Sequence, residues 1–347
     1  MIEIKPVDRS FYQDRLAGFL PPKVIDIHTH VWPAQHAQGD TTGRTASWPM
    51  RVAAVCPVED LLEMYRLMFP DKQVTPLIFG NPLVQGAIDE MNAYVAAAAA
   101  AHSLPALLLT RPEWTAEVVE EKIACGRFLG AKVYLSYAPA SIAPGQIRIF
   151  DFLPHHQLEL FDRHGWIVML HIPRVDRLRD PLNLADLIEI ERRYPRVRLI
   201  VAHVGRAYCP EDVGNAFDVL SDTQHMCFDI SANTNAEVFE RLLAAVGPRR
   251  VLFGSDMPIT RMRMRRICQD GRYVNIIPRG LYGDVSADKH MREADGDEAA
   301  RLTLFLYEEI NAFRRAAEAQ GLSAGDVRDV FYNNARRMIA AAGEDSQ

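Results

Sequence analysis

Eight short apolar runs, separated by segments with helical patterning, constrain the fold of this chain more than any other feature. Most of the runs are almost continuously apolar, which is typical of parallel strands buried on both faces. Several of the helical segments end at glycine or proline, where a helix commonly stops. The predicted strands are residues 24–28, 75–79, 106–110, 131–136, 167–171, 197–203, 226–230 and 250–255, and the predicted helices are residues 84–101, 115–125, 154–164, 183–194, 211–220 and 235–246.

Strand–helix alternation repeated eight times predicts an α/β fold, a (β/α)₈ barrel, as a single domain over residues 1–347. A doubly wound open sheet is the alternative, but it usually has fewer strands and a glycine-rich first turn, which this sequence lacks. Three long connections follow predicted strands, at residues 31–57, 138–152 and 258–297. We interpret the last as an insertion or lid, and residues 299–342 as two packed C-terminal helices.

Composition and charge restrict the function classes. The chain is 48% hydrophobic and 24% charged, with a formal charge of −6, which disfavours binding to nucleic acid or an anionic membrane. It has no apolar stretch of about 18 residues and no signal-peptide core near its start. We expect a cytoplasmic protein with a small-molecule substrate, no nucleic-acid or membrane partner, and a homodimer as one option. The five cysteines predict reduced packing thiols, with Cys209 notable because a candidate site histidine precedes it by six residues.

Residues of metal-binding and acid–base type occur at the ends of several predicted strands. His28 and His30 alternate onto one face of the first strand. His171 ends the fifth strand, His203 ends the sixth, and Asp256 follows the eighth. Because the carboxyl ends of barrel strands meet at one face, we expect these residues to converge. Imidazoles combined with a carboxylate are a normal ligand set for a divalent metal that keeps one position open.

The motifs around these residues resemble the amidohydrolase superfamily, in particular the amidohydrolase-2 branch of metal-dependent TIM-barrel hydrolases and decarboxylases. They are Ile25-Asp-Ile-His-Thr-His30, Met169-Leu-His-Ile-Pro173, Val201-Ala-His-Val-Gly205, Leu252-Phe-Gly-Ser-Asp-Met-Pro258 and Tyr332-Asn-Asn-Ala-Arg336. The resemblance implies that His28, His30, His171 and Asp256 bind the metal and that His203 acts on the substrate. We expect one divalent ion, with Zn²⁺ preferred and Mn²⁺ as the alternative.

The predicted catalytic residues are Asp256 and His203. A divalent ion lowers the pKa of its bound water from ~16 towards ~7, and Asp256 can take the proton and pass it to a leaving group. His203 can polarise a substrate carbonyl or carboxylate. Asp26, deeper on the same strand face as the histidines, is predicted to fix the tautomer of an imidazole.

Lys132 lies on the fourth predicted strand and has three interpretations. It can point outward to the helices or a salt bridge, or it can be a cation that binds the substrate. By resemblance to two-metal amidohydrolases, it can also be a carboxylated lysine that bridges two ions. Because Lys132 lies four residues before the predicted strand end, we favour a single metal.

Arg174 and Arg206 each follow a candidate site histidine by three residues, which suits binding of a substrate carboxylate at the mouth of the barrel. A salt bridge at the rim is an equal alternative for each. Tyr134 and Trp32 are predicted walls of the substrate pocket. The run 261–266 alternates arginine and methionine, and we interpret it as a solvated lid or a subunit contact.

The predicted function is hydrolysis of a C–N or C–O bond by a metal-activated water, in an amide, lactone or ester of a carboxylated small molecule. The first alternative is nonoxidative decarboxylation of an aromatic or unsaturated carboxylic acid, which needs the same residues. The second alternative is a non-catalytic metal-binding barrel.

Overall fold

The computed structural model describes residues 2–34, 48–82 and 87–344. All eight predicted barrel strands are confirmed, although six of them are shorter than expected. Their bounds are β1 Lys23–His30, β2 Gln73–Phe79, β3 Leu108–Leu109, β4 Gly130–Val133, β5 Ile167–Leu170, β6 Arg198–Val201, β7 Cys227–Asp229 and β8 Val251–Leu252. β1 pairs with β2 in parallel, and β3 to β8 form a parallel sheet in chain order.

Isolated bridges, in place of continuous ladders, connect these two sheets. Ile78 of β2 pairs with Ala106 just before β3, and Thr29 of β1 pairs with Met257 beyond β8. Eight parallel strands in sequential order, joined in this way, give the TIM-barrel-like fold that the sequence predicts.

Helices follow most of the strands, close to their predicted positions. Their bounds are Pro6–Phe11, Pro49–Val52, Val58–Met68, Ile88–His102, Ala116–Gly126, His155–His164, Pro181–Arg193, Ala216–Leu220, Ala236–Val246, Gly296–Ala300, Phe305–Ala319, Ala324–Arg328 and Asn334–Glu344. The predicted helix 211–220 is interrupted, because Gly214 adopts a left-handed conformation with φ of 54°. Across the described ranges, no helix combines the length and apolarity needed to cross a membrane.

Two sequence-based predictions fall partly outside the described residues. These are residues 35–47 of the connection 31–57, and residues 84–86 at the start of the predicted helix 84–101.

One buried apolar cluster brings together strands that are far apart in the sheet order. Ile25 of β1, Leu77 of β2, Ile167 of β5 and Ile200 of β6 belong to it, together with Ala335 of the helix Asn334–Glu344. A sheet whose distant strands share one cluster must curve around it, so this cluster is the barrel interior. The helix Asn334–Glu344 also contacts β1, β5 and β8, so it covers one end of the barrel.

The segment after β8 forms a small sheet of its own, which the sequence did not predict. Its strands are β9 Arg265–Gln269, β10 Arg272–Pro278 and β11 Met291–Ala294, in the order β11–β10–β9. β9 and β10 are an antiparallel hairpin, while β10 and β11 are parallel.

The interpretation of residues 261–266 as a solvated segment is wrong. Met262, Arg263, Met264 and Arg266 are all buried. Arg263 is accommodated in the interior because its Nη2 lies 2.6 Å from Asp8 Oδ2 and its Nη1 donates to the Leu302 carbonyl. Alternation of charged and apolar residues therefore did not mark an exposed face, because an arginine with a buried partner can enter the core.

Candidate active site

The carboxyl ends of the barrel strands surround a cavity of about 340 Å³. His28, His30, His171, His203 and Asp256 all line it. The structure thus brings the five residues together, as the strand-end argument predicts. Which of them bind a metal stays a prediction.

Asp256 makes the shortest contacts in this group. Its Oδ1 lies 3.1 Å from His30 Nε2 and 3.6 Å from His28 Nε2. His28, His203 and Asp256 each offer one ligand atom within 4.8 Å of the others. His30 and His171 lie outside this closest set, and the His171 ring centroid is 5.3 Å from that of His203. His203, predicted to act on the substrate, therefore lies within this set, whereas His171, predicted to bind the metal, does not.

Left-handed backbone conformations position two of these side chains. Asp256 has φ of 63°, and its N–H donates to the His28 carbonyl at 2.8 Å. The turn His203–Arg206, directly after β6, has φ between 49° and 61° at all four residues. Each non-glycine residue in this region costs about 1–3 kcal/mol, a strain that proteins retain mainly at functional sites.

Gly254, just after β8, allows that strand end to approach β1. A Cβ at this position would lie 2.7 Å from the His28 Cβ and 3.3 Å from the Asp229 Cβ. Any larger residue would collide with the His28 side chain and displace it. Close packing of the two strand ends therefore explains the glycine in the strand-eight motif.

Three of the histidines share one arrangement of hydrogen bonds. In each, Nδ1 faces a carboxylate or carbonyl acceptor. The acceptors are Asp229 Oδ2 for His28 at 2.8 Å, the Gly80 carbonyl for His30 at 3.1 Å and the Ser231 carbonyl for His203 at 3.1 Å. This places the ring proton of His28 and His203 on Nδ1 and leaves their Nε2 with the free lone pair. His30 differs in that its Nε2 also faces an acceptor, Asp256 Oδ1, at 3.1 Å. Metal-binding histidines are commonly oriented in this way.

Asp229, at the end of β7, is a site residue that the sequence analysis missed. Its Oδ2 bonds His28 Nδ1, and its Oδ1 accepts hydrogen bonds from the backbone N–H groups of His203 and Ser231. Burial alone would raise its pKa, but the neighbouring His28 holds the pKa well below its usual value. The sequence signal that could have identified Asp229 was a carboxylate within a predicted strand that is otherwise apolar.

Asp26 does not have its predicted role. Its Oδ2 accepts a 2.6 Å hydrogen bond from the Tyr65 hydroxyl, and its Oδ1 accepts from the Ser255 and His28 backbone N–H groups. The pairing of β1 with β2 shifts register between Asp26 and Thr29. Strict alternation therefore fails there, and Asp26 supports the backbone while Asp229 holds the imidazole.

Burial favours the neutral form of three cavity imidazoles, those of His28, His171 and His203. It lowers the pKa of His28 to about 3, with a further contribution from the nearby charge of Lys132. Burial also lowers the pKa of His171 well below its usual value and lowers that of His203. Neutral imidazole is the form that binds a metal.

Asp256 is held in its charged form. Burial acts to raise its pKa, but the hydrogen bond from His30 and the nearby imidazoles of His203 and His28 outweigh burial and lower it. The site therefore presents one anionic oxygen donor beside neutral nitrogen donors.

Lys132 points into the cavity, so the outward-facing interpretation is wrong. Its side chain is buried, and Nζ lies 3.5 Å from His28 Nε2. Because β4 ends at Val133 and not at residue 136, Lys132 is one residue from the strand end. Burial lowers the pKa of this lysine to about 8. The substrate-binding and carboxylated interpretations both stay open.

The two predicted mouth arginines differ. Arg174 Nε donates to Asp180 Oδ2 at 2.8 Å, and Arg174 is not among the described residues that line the cavity. Its position corrects the substrate-binding prediction and matches the salt-bridge alternative. Arg206, Trp32 and Tyr134 do line the cavity, as predicted.

A cationic and aromatic wall on one part of the cavity was not predicted. It consists of Arg177, Tyr208, Arg266, Tyr273 and His290. The guanidinium carbon of Arg266 lies 4.4 Å from the Tyr273 ring centroid and 5.0 Å from that of Tyr208. Three of the five residues belong to the segment after β8, so no strand-end rule could find them.

A disulfide joins this wall to the barrel. Cys209 and Cys268 are bonded, with Cα atoms 5.8 Å apart, so the prediction of reduced thiols is wrong for these two. The other three cysteines are free. Cys209 follows Tyr208, and Cys268 lies two residues beyond Arg266 on β9. The 59-residue separation explains why no local motif revealed the bond.

The residues of the cavity fit a divalent metal. Neutral imidazole nitrogens and one charged carboxylate form the donor set, and the Nδ1 atoms of three histidines are already held by acceptors. His171 Nδ1 is buried and has no hydrogen-bond partner within the described part of the chain. An unsatisfied buried nitrogen beside such a donor set is consistent with a ligand in the cavity.

Sequence comparison decides the family. Residues 25–272, well over half of the chain, match the family model described as amidohydrolase. This chain belongs to the amidohydrolase family. The protein is therefore an enzyme of a metal-dependent family, in agreement with the prediction from its motifs. A search of curated protein sequences finds no match.

Several solved structures share the fold of this amidohydrolase. A 2,6-dihydroxybenzoate decarboxylase bound to 2,6-dihydroxybenzoate is 14% identical with a TM-score of 0.57, covering 92% of this chain and 100% of that one. A Pseudomonas putida protein, provisionally described as a 2-pyrone-4,6-dicarboxylic acid hydrolase, is 15% identical with a TM-score of 0.56, covering 93% and 99%. A manganese-bound dihydroxybenzoic acid decarboxylase from Polaromonas is 13% identical with a TM-score of 0.53, covering 92% and 97%. At such identities the likeness shows the fold alone.

Proposed function

We propose that this amidohydrolase is a metal-dependent hydrolase that cleaves a C–N or C–O bond, in an amide, lactone or ester, of a carboxylated small molecule. The observation that carries the proposal is the position of Asp256, with Oδ1 3.1 Å from His30 Nε2 and 3.6 Å from His28 Nε2 at a cavity lined by arginine. A carboxylate in that position can both bind a metal and exchange a proton with water.

His28, His30, His171 and Asp256 would hold the ion, with Zn²⁺ preferred over Mn²⁺. When bound, such an ion makes water acidic and polarises a substrate carbonyl. Asp256 Oδ takes the proton of the attacking water and returns it to the leaving nitrogen or oxygen. His203, with its proton on Nδ1, presents an unprotonated Nε2 that accepts a hydrogen bond from water or substrate.

Arg206 orients the substrate in this proposal. Its Nη1 is held by the backbone carbonyls of Ile172, Pro173 and Arg174, at 3.2, 3.2 and 3.3 Å. Carbonyls anchor the guanidinium without neutralising it, so its remaining N–H groups are suited to a substrate carboxylate.

Nonoxidative decarboxylation is the second candidate, and the aromatic lining of the cavity favours it. Trp32, Trp48, Tyr134, Tyr208 and Tyr273 all line the cavity. Their rings suit an aromatic or unsaturated acid. Two structural neighbours are decarboxylases of dihydroxybenzoic acids.

Metal analysis combined with a panel of lactones, amides and aromatic acids tests the proposal. Acid release and CO₂ release are followed separately, so hydrolysis and decarboxylation are distinguished. We expect about one equivalent of Zn²⁺ or Mn²⁺ per chain and acid release without CO₂. Two tightly bound equivalents would instead favour a carboxylated Lys132.

Two variants complete this test. Asp256→Asn should abolish turnover, because the amide cannot take the proton, while Asp218→Asn, a substitution at an exposed residue, should leave turnover unchanged. Full activity of a metal-free preparation, or full activity of the Asp256→Asn variant, would refute the proposal.

A further inference from the structure

The charges that line the cavity are unbalanced. Among the described lining residues, Asp256 is the single carboxylate, against the cationic side chains of Arg177, Arg206, Arg266 and Lys132. Arg177 is neutralised by Asp212, whose Oδ2 lies 2.5 Å from its Nη1. Arg206 and Arg266 have no such partner within the described residues.

Arg266 is buried, and the groups that accept its hydrogen bonds are neutral. Its Nε donates to Asn275 Oδ1 at 2.8 Å, and its Nη1 donates to the Ala232 carbonyl at 2.5 Å. The guanidinium also lies over the rings of Tyr208, Tyr273 and Phe305. No carboxylate within the described residues forms an ion pair with it. Its Nη2 donates no hydrogen bond to any of the described residues.

Glu309 is the acidic residue whose charge most affects the pKa of Arg266, but it does not neutralise the guanidinium. Its Oε2 accepts a hydrogen bond from the Ala232 N–H at 2.7 Å, while Arg266 donates to the carbonyl of the same residue. The two side chains therefore both contact Ala232 but not each other. Burial raises the pKa of Glu309 well above its usual value, which favours the uncharged acid.

A buried guanidinium without an anion destabilises the protein, because no ion pair offsets the desolvation of its charge. Burial lowers the pKa of Arg266, which reflects the same cost. An anion that binds in the cavity would offset this desolvation penalty. The fork of N–H groups favours a planar carboxylate that accepts two parallel hydrogen bonds.

We propose that Arg266 is a specificity-determining residue that binds a second carboxylate of a dicarboxylic substrate, while Arg206 binds the first. This inference rests on the proposed function for the identity of the cavity as the substrate site. It assigns a role to the sheet after β8, which supplies one of the two carboxylate anchors.

The rings beside Arg266 indicate the part of the substrate that joins the two acids. Tyr208 and Tyr273 flank the guanidinium and line the cavity, and His290 stacks on Tyr273 with ring centroids 4.2 Å apart. A flat, unsaturated or aromatic skeleton fits such surfaces. The class is therefore a small planar dicarboxylate.

Calorimetric titration of the full-length, metal-loaded protein tests this inference with four probes. They are benzoate and the 1,2-, 1,3- and 1,4-benzenedicarboxylates, which vary the spacing of the two acids. We expect at least one dicarboxylate to bind roughly 10- to 150-fold more tightly than benzoate, the gain of one charged hydrogen-bonded contact. Arg266→Met should remove this preference while leaving benzoate affinity unchanged.

Two further variants control the result. Arg266→Lys keeps the charge but not the fork, so it should retain part of the preference. It also keeps the inference testable if Arg266→Met does not fold, which thermal unfolding would reveal. Arg272→Met alters an exposed arginine on β10, outside the described cavity lining, and should keep the full preference.

The inference fails if the wild type binds no dicarboxylate more tightly than benzoate, or if the Arg266 variants keep the full preference. The readout is binding and not turnover. A preference that depends on Arg266 in a protein without hydrolytic activity would therefore refute the proposed function alone.

Discussion

The orientation of the cavity histidines is decided residue by residue, through the group that each Nδ1 contacts. His28 is held by a carboxylate, whereas His30 and His203 are held by backbone carbonyls. A carboxylate partner increases the basicity of the opposite nitrogen more than a carbonyl does. Asp229 is therefore the residue outside the ligand set whose substitution should affect metal binding most.

Asp229→Asn should lower metal affinity by roughly 10- to 100-fold while the protein stays folded. Asn cannot supply the charge that stabilises the Nδ1 proton of His28. Titration with Zn²⁺ against a competing chelator measures the change. Asp26→Asn is the matched control, because Asp26 is equally buried but contacts no imidazole. Equal affinities for wild type and Asp229→Asn would contradict this account.

Glu309 should make the stability of the protein depend on pH. Burial raises its pKa well above 4.5, so the folded protein keeps a proton that the unfolded chain releases. The free energy of unfolding should therefore fall as pH rises above ~4.5, by at most about 1.4 kcal/mol per pH unit until the folded pKa is reached.

Glu309→Gln removes this titration, so the variant should gain stability relative to wild type as pH rises. Denaturant unfolding at several pH values measures the difference. Glu318→Gln, an exposed substitution on the same helix, should run parallel to wild type. Parallel curves for Glu309→Gln and wild type would show that Glu309 carries no such effect.

At the scale of elements, the barrel strands and the sheet after β8 are specified differently. The barrel strands are apolar runs whose burial is visible in the sequence, and all eight are confirmed. β9, β10 and β11 mix charged and apolar residues, and β9 buries Arg266 against aromatic rings. The Cys209–Cys268 disulfide, which ties β9 to the loop after β6, adds a constraint that no periodicity reveals.

Breaking this disulfide should destabilise the protein by roughly 2–4 kcal/mol, since the bond closes a loop of 59 residues. Denaturant unfolding of the Cys268→Ser variant and of the reduced wild type should show the same loss. Cys125→Ser, at an exposed free cysteine, is the control and should not change stability. A Cys268→Ser variant as stable as oxidised wild type would contradict the prediction.

At the scale of the whole molecule, candidate metal ligands come from both ends of the barrel order. His28 belongs to β1 and Asp256 follows β8, and the bridge between Thr29 and Met257 lies beside them. A metal ion held by both would link the first strand to the last, where the sheet ladder is interrupted. Metal binding should therefore stabilise the fold as well as the site.

Loading with Zn²⁺ or Mn²⁺ to about 100 times its dissociation constant should add about 2.7 kcal/mol to the free energy of unfolding. Thermal unfolding with metal and with chelator measures this as a rise of a few degrees in the midpoint. Asp256→Asn should reduce the rise, because it weakens the carboxylate donor. Identical midpoints with and without metal in the wild type would contradict the prediction.

The sequence by itself determined the barrel and the convergence of His28, His30, His171, His203 and Asp256. It could do so because buried parallel strands are continuous apolar runs, and their carboxyl ends meet at one face whatever the loops do. Only the tertiary structure decided that Asp229 orients His28, that Lys132 points inward, and that Arg266 and the disulfide complete the cavity wall. Those contacts join residues far apart in the chain, through a register shift and loop paths that local patterns do not encode.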